Sequence, residues 1–145
     1  MPKSNYEELL FQFEETVRKQ KAYFNQVCSK AGYRISYDQW LVLEQVMDKQ
    51  GIKQSDIAKL VFKEPASVSR IISYLEKNEL VVKVNNEKNK RANKIYLTHQ
   101  GYDISENIAK IYTDCLSKQF KGIYEREVSL IREILSRVNK NELKS

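Results

Sequence analysis

Glycine, proline, cysteine and histidine are all scarce: 145 residues hold four, two, two and one of them. Four isolated glycines make no phosphate-cradling loop, and the single histidine, His99, has no Cys, Asp or Glu in a metal-site or triad arrangement. Neither catalysis, a metal centre nor a cofactor is therefore expected. Cys28 and Cys115 are too distant in sequence for a metal knuckle and too few for a disulfide framework, so they read as small buried hydrophobes in a reducing compartment. No stretch approaches the roughly 18 apolar residues of a membrane span. The start, MPKSNYEELLFQFEE, is acidic where a secretion signal is basic and then apolar. The expected location is the cytoplasm, with no membrane partner. With no Pro-rich or Gly-rich linker, repeat or low-complexity tract, the chain reads as one domain.

What the chain does have is apolar material for a core, at 41% hydrophobic and 10% aromatic, and a net charge of +6. The charge is uneven. Nine cations (Lys59, Lys63, Arg70, Lys77, Lys83, Lys88, Lys90, Arg91, Lys94) face four acids (Glu64, Glu76, Glu79, Glu87) within residues 59–94, so one segment carries nearly all the excess. That pattern points to a polyanionic partner. Much of it falls in LVVKVNNEKNKRANKIYLT, residues 80–98. Leu80, Val82 and Val84 alternate with Val81 and Lys83, and Ile95 and Leu97 flank Tyr96, the period of two expected of paired strands. Between them, Asn85 to Lys94 has no large apolar residue to anchor it.

The rest is helical. Tyr6, Leu9, Leu10, Phe13, Val17, Phe24, Val27 and Cys28 follow three and four spacing from Asn5 to Ser29, and Gly32 helps end that helix. A second runs from a Ser36 cap to Gly51, and a short third, QSDIAKLVF, has Ser55 as its expected cap. Pro65 fits the first position of a fourth, PASVSRIISYLEKN. Its inner face is Val68, Ile71, Ile72 and Leu75. Its outer face is Ala66, Arg70, Ser73 and Tyr74, flanked by Ser67 and Ser69. After the hairpin, Thr98 can cap a long helix with a stripe of Ile104, Ile108, Ile111, Cys115 and Leu116. A last helix follows Gly122, with Val128, Ile131, Ile134, Leu135 and Val138 as its stripe and Arg137 and Lys140 at its negative end.

The order helix, helix, helix, helix, two strands, helix, helix is that of a mainly α winged helix-turn-helix with a small β-hairpin, flanked by terminal helices. A small, hydroxylated helix face can approach a major groove closely. Arg70 can reach a guanine edge or a phosphate, and Ser67, Ser69 and Ser73 can contact either. The hairpin tip, through Lys88, Lys90 and Arg91, could lie on the backbone with Arg91 entering a narrow minor groove. Set against this, the basic tip could be a solvated loop, or the winged helix a protein-interaction module without sequence-specific DNA binding. RNA is less suited, because no aromatic stacking surface is evident.

SVSRIISYLEKNELV, the basic loop through NKRA, and LTHQG resemble the MarR family (multiple antibiotic resistance regulators) of bacterial transcription factors, with the specific motifs between Ile52 and Gly101. The resemblance implies a homodimer on a pseudopalindromic operator of double-stranded DNA, commonly a repressor and often released by a small phenolic or other lipophilic effector. It places Ser67, Ser69 and Arg70 on the recognition helix and makes Arg91 the wing arginine. Three positions depart from the family pattern. Asn89, Lys90 and Arg91 stand for Asp-x-Arg; Glu79 replaces a glycine, which moves the expected left-handed turn to Asn78; and Lys53 replaces the Thr that opens the third helix. The expected division is one MarR-like domain over 1–145, with residues 35–98 as the DNA-binding lobe and residues 1–34 and 99–145 as the helical dimerisation region. The apolar stripes at both ends could pair with a second copy, the alternative being an intramolecular bundle. Tyr23, Tyr37 and Trp40 are the candidate effector residues, although aromatics at helical spacing also build cores.

Overall fold

The computed structural model describes residues 1–89 and 92–141. Among them the order is α1 Asn5–Lys30, α2 Tyr37–Asp48, β1 Ile52–Lys53, α3 Gln54–Leu60, α4 Pro65–Lys77, β2 Val81–Val84, β3 Lys94–Leu97, α5 His99–Gln119 and α6 Glu125–Lys140. The fold is mainly helical with a small antiparallel sheet, a winged helix-turn-helix between terminal helices, as expected. The chain forms two compact units that divide after Cys115. Among the described residues no helix is long and apolar enough to cross a membrane.

Most of the helix ends follow from local chemistry. Ser4 and Glu7 form a reciprocal capping box at α1: Ser4 Oγ accepts the Glu7 N–H at 3.3 Å and Glu7 Oε2 accepts the Ser4 N–H at 2.8 Å. Ser36 and Gln39 do the same at α2, with bonds of 3.2 and 3.0 Å. Ser55 is not the cap of α3. Lys53 occupies that position without a side-chain bond, and Ser55 lies inside the first turn. The cause is β1, which the sequence reading lacked. Lys53 is held extended opposite Lys94, and the Gln54 N–H bonds the Asn93 carbonyl at 2.9 Å, so the helix begins two residues too early for a Ser55 cap.

At the exit of α4 the left-handed residue is Glu79, at φ +60°, and not Asn78. The Leu80 N–H bonds the Leu75 carbonyl at 2.9 Å and the Glu79 N–H bonds the Glu76 carbonyl at 3.0 Å, the paired bonds of a Schellman end. Position in that motif fixes which residue turns left-handed, whatever its side chain tolerates. Asn78 instead donates from Nδ2 to the Tyr74 carbonyl at 2.8 Å. Phe62 adopts φ +55° at the corresponding place after α3.

The sheet runs β1-β3-β2, with Ile52 opposite Ile95, Val81 opposite Leu97 and Lys83 opposite Ile95. Val81 and Ile95 point into the core, while Val82 and Val84 face solvent. Leu80 is also buried, but from the turn before the strand, so it does not share a face with Val82 and Val84. The core of the first unit gathers Phe24, Trp40, Leu43, Ile57, Ile72, Leu75, Ile95 and Ile108, all fully buried. At about 1.5 to 3 kcal/mol for each large side chain, these positions dominate its stability. Cys28 and Cys115 are buried too, and burial, with Cys115 nearby, pushes the Cys28 thiol up to about 11. A thiol so placed is a poor nucleophile, in keeping with a packing role. In the second unit α6 buries none of its residues, although Val128 and Leu135 are half-covered.

Candidate nucleic-acid interface

Helix α4 presents the expected face. Val68, Ile72 and Leu75 are buried, Pro65 opens the first turn, and Ala66, Ser69, Arg70 and Ser73 are exposed, with Ser67 half-buried. Arg70 Nη2 donates to Ser67 Oγ at 3.2 Å, which lays the guanidinium along the helix toward its N-terminus. Tyr74 leaves this surface. Half-buried, it donates its hydroxyl to the Arg34 carbonyl at 2.5 Å and ties α4 to the α1–α2 connection.

Between α3 and α4 lies an open cavity of about 410 Å³ lined by Gln54, Ser55, Ala58, Lys59, Lys63, Pro65 and Ser69. Its two lysines differ. Lys63 lies 3.3 Å from Asp38, which also meets Lys21 on α1 at 3.2 Å. Burial raises the Asp38 carboxyl, but the hydrogen bonds and charges of Lys21 and Lys63 outweigh it and hold the group below the usual carboxylate range. The charge of Lys63 is therefore partly matched, by a carboxylate it shares with Lys21. Lys59, which sequence reasoning counted only as part of an excess, is the exposed cation beside the Ser69 side of the helix. Its signal was present in the spacing of α3, since Ile57, Ala58 and Val61 face inward and leave Lys59 outward.

In the wing, Lys88 is exposed, and its N–H bonds Asn86 Oδ1 at 3.0 Å. Asn93, 4% exposed, accepts the Asn86 N–H on its side-chain oxygen at 2.9 Å. Nothing in the sequence pattern singled out Asn93, because its role depends on a contact across the hairpin. Lys90 and Arg91, expected at this tip, lie outside the described residues.

Tyr37 and Trp40 come together in an aromatic cluster with Phe24 and Tyr112. Ring centroids lie 5.5 Å apart for Phe24 and Tyr37, 5.9 Å for Tyr37 and Tyr112, and 6.1 Å for Trp40 and Tyr112, all edge to face. The Tyr37 and Tyr112 hydroxyls are 3.4 Å apart, and burial with this neighbour raises the Tyr112 phenol. The fully buried Trp40 Nε1–H has no hydrogen-bond partner among the described residues. Tyr23 is half-buried on α1 and outside this set of ring contacts. His99 is exposed and has Asp103 one helical turn on, at 3.8 Å. No group of His, Cys, Asp and Glu among the described residues could hold a metal.

Residues 35–92 match the profile of the MarR family. The HTH-type transcriptional regulator SarZ of Staphylococcus aureus (strain USA300) is 28% identical over 110 residues, covering 75% of this chain and 73% of that protein. Among solved structures, transcriptional regulator PA3341 is similar at a TM-score of 0.76 and 25% identity, over 92% of this chain and 96% of its own. BpsR of Bordetella bronchiseptica, whose DNA binding is regulated by 6-hydroxynicotinic acid, is similar in fold at a TM-score of 0.81 and 18% identity, over 98% and 100%.

Proposed function

We propose that this chain is a DNA-binding transcriptional regulator of the MarR type, which its residues 35–92 and its likeness to SarZ support, and that it acts as a homodimeric repressor on a pseudopalindromic operator, relieved by a small phenolic or other lipophilic effector. The observation that carries the DNA reading is the outer face of α4. Ser67, Ser69, Arg70 and Ser73 offer hydroxyls and one guanidinium, with Lys59 beside them and no carboxylate among them. Such a face can enter a major groove. Arg70 pairs with a guanine edge or a phosphate, and the serines donate to whichever acceptor they meet. Lys88, with Lys90 and Arg91, supplies the sequence-independent grip on the backbone.

Dimerisation is supported by apolar side chains that each unit leaves in water. In the first, Tyr6, Leu10, Phe11 and Val17 on α1 are more than half exposed. In the second, Leu130, Ile131 and Val138 on α6 remain uncovered within their own unit. Residues 35–98 then form the DNA-binding lobe, and residues 1–34 and 99–145 the dimerisation region. The role is regulatory rather than enzymatic, and the place of work is the cytoplasm.

For the effector, the Trp40 N–H, without a partner among the described residues and in the cluster that Tyr112 joins to Tyr37, is a buried donor that a phenolic oxygen would satisfy, with Tyr23 at the margin. Trp40 is the chain's only tryptophan, so its fluorescence reports occupancy directly. Titration with phenol and with 6-hydroxynicotinic acid is expected to change it saturably and to weaken DNA binding in parallel.

The test of the DNA reading is a fluorescence anisotropy titration against duplex DNA from the region upstream of the chain's own gene, beside a scrambled duplex, at two salt concentrations. Selective, salt-sensitive binding with two subunits per site supports the regulator. Equal weak binding to both duplexes, lost at moderate salt, favours the interaction-module reading.

A further inference from the structure

The wing reaches into water with little apolar anchorage, yet one of its side chains is buried. Asn93, just before β3, is one of only two buried polar residues among the described residues, the other being Ser105. A polar side chain withdrawn from water is stable only when bonded. The Asn93 side-chain oxygen takes the Asn86 N–H from across the wing at 2.9 Å, and Asn86 Oδ1 takes the Lys88 N–H at 3.0 Å. The Asn86 carbonyl accepts the Asn89 N–H at 3.2 Å, and the Asn89 carbonyl accepts the Ala92 N–H at 3.0 Å. At the other end, the Asn93 carbonyl accepts the Gln54 N–H at 2.9 Å, where α3 starts. A continuous set of hydrogen bonds therefore runs from the first turn of the helix-turn-helix, through a buried amide, to the backbone of an exposed lysine.

We propose that Asn93 is the positioning residue of the wing: through Asn86 it holds Lys88 at a fixed place relative to α3, so that its ammonium meets a DNA phosphate. This rests on the DNA-binding reading above. The exposed Val82 and Val84 give β2 no second apolar face to fix the tip, so the amide relay sets its geometry. Asn93 itself touches no DNA. Its effect on binding passes wholly through Lys88.

The experiment is a salt series, from about 50 to 200 mM, of anisotropy titrations with a mixed-sequence duplex, run on the parent chain and four variants: Lys88→Ala, Asn93→Ala, Asn86→Ala and the Asn93→Ala/Lys88→Ala pair. Lys88→Ala is expected to reduce the slope of log K against log salt by about 0.9, the release of one phosphate contact. Asn93→Ala and Asn86→Ala each reduce it by a similar amount, and the double variant loses no more than Lys88→Ala alone. Amide exchange supplies the second readout. The Asn86 amide loses protection in Asn93→Ala and regains it in Asn93→Asp, which keeps the accepting oxygen, while α4 amides stay unchanged. Asn86 is exposed, so Asn86→Ala carries the test even if Asn93→Ala fails to fold. A parental slope in Asn86→Ala or Asn93→Ala, or losses that add in the double variant, overturns the proposal while the DNA reading stands. Absence of salt-dependent binding in the parent chain removes the DNA reading and the proposal together.

Discussion

Gly101 shows how tightly single positions are constrained. A Cβ there would lie 1.9 Å from the Leu80 carbonyl oxygen, and that carbonyl also accepts the Thr98 N–H at 3.0 Å. The contact is backbone, so nothing nearby can rotate away, and Gly101→Ala should destabilise the chain by about 3 kcal/mol in thermal or denaturant unfolding. Glu79 is the opposite case. Its left-handed φ carries a strain of about 1 to 2 kcal/mol that glycine lacks, part of which glycine returns through its looser unfolded state. Glu79→Gly should raise unfolding stability by up to about 1 kcal/mol. Glu44 gives a pH signature. Burial, and then Asp48, hold its carboxyl above the usual range. A raised folded pKa means stability that is full below the unfolded value of about 4.3 and is lost as pH rises through the folded value. Glu44→Gln should therefore stabilise the chain at pH 7 and match the parent at pH 3, as read by denaturant melts at both. Of these positions, Gly101 entered the sequence reading only as the end of LTHQG, because its close approach to Leu80 is a contact between distant segments. The turn at Glu79 was misplaced because side-chain tolerance pointed to Asn78, whereas the bonds to Leu75 and Glu76 decide it.

At the level of elements, α4 was the most legible part of the chain, because Pro65, the apolar spacing of Val68, Ile72 and Leu75, and the serines between them all agree. Strand β1 was not. Two residues cannot display a period, and Ile52 and Lys53 become a strand only because β3 offers an unpaired edge. That hidden strand also displaced the expected Ser55 cap. The two elements proposed to face DNA are predicted to fail differently when mutated. Arg70→Ala should weaken operator binding by about 1 to 3 kcal/mol and relax sequence preference, while Lys88→Ala should weaken binding to every duplex alike and flatten the salt slope by about 1. Anisotropy titrations with operator and scrambled duplexes separate them. Equal small effects from both would count against base reading by Arg70.

For the whole molecule, net charge suggested a polyanionic partner, but the useful charge is smaller than the sequence excess. Lys63 is partly matched by Asp38, which it shares with Lys21, a pairing between distant segments that composition does not reveal. The dimer proposed above would cover the exposed apolar side chains of α1 and of α6, and on that proposal sedimentation equilibrium should return twice the 17.1 kDa chain mass. In such a dimer two copies of α4 read half-sites about one DNA turn apart, roughly 34 Å. The most direct measurement is therefore selection of bound sequences from a random duplex library by the purified chain, followed by sequencing. The account predicts an enriched pseudopalindrome with half-site centres about 10 base pairs apart, lost in Arg70→Ala. A library that emerges with no enriched sequence, or with a single unpaired half-site, would contradict it.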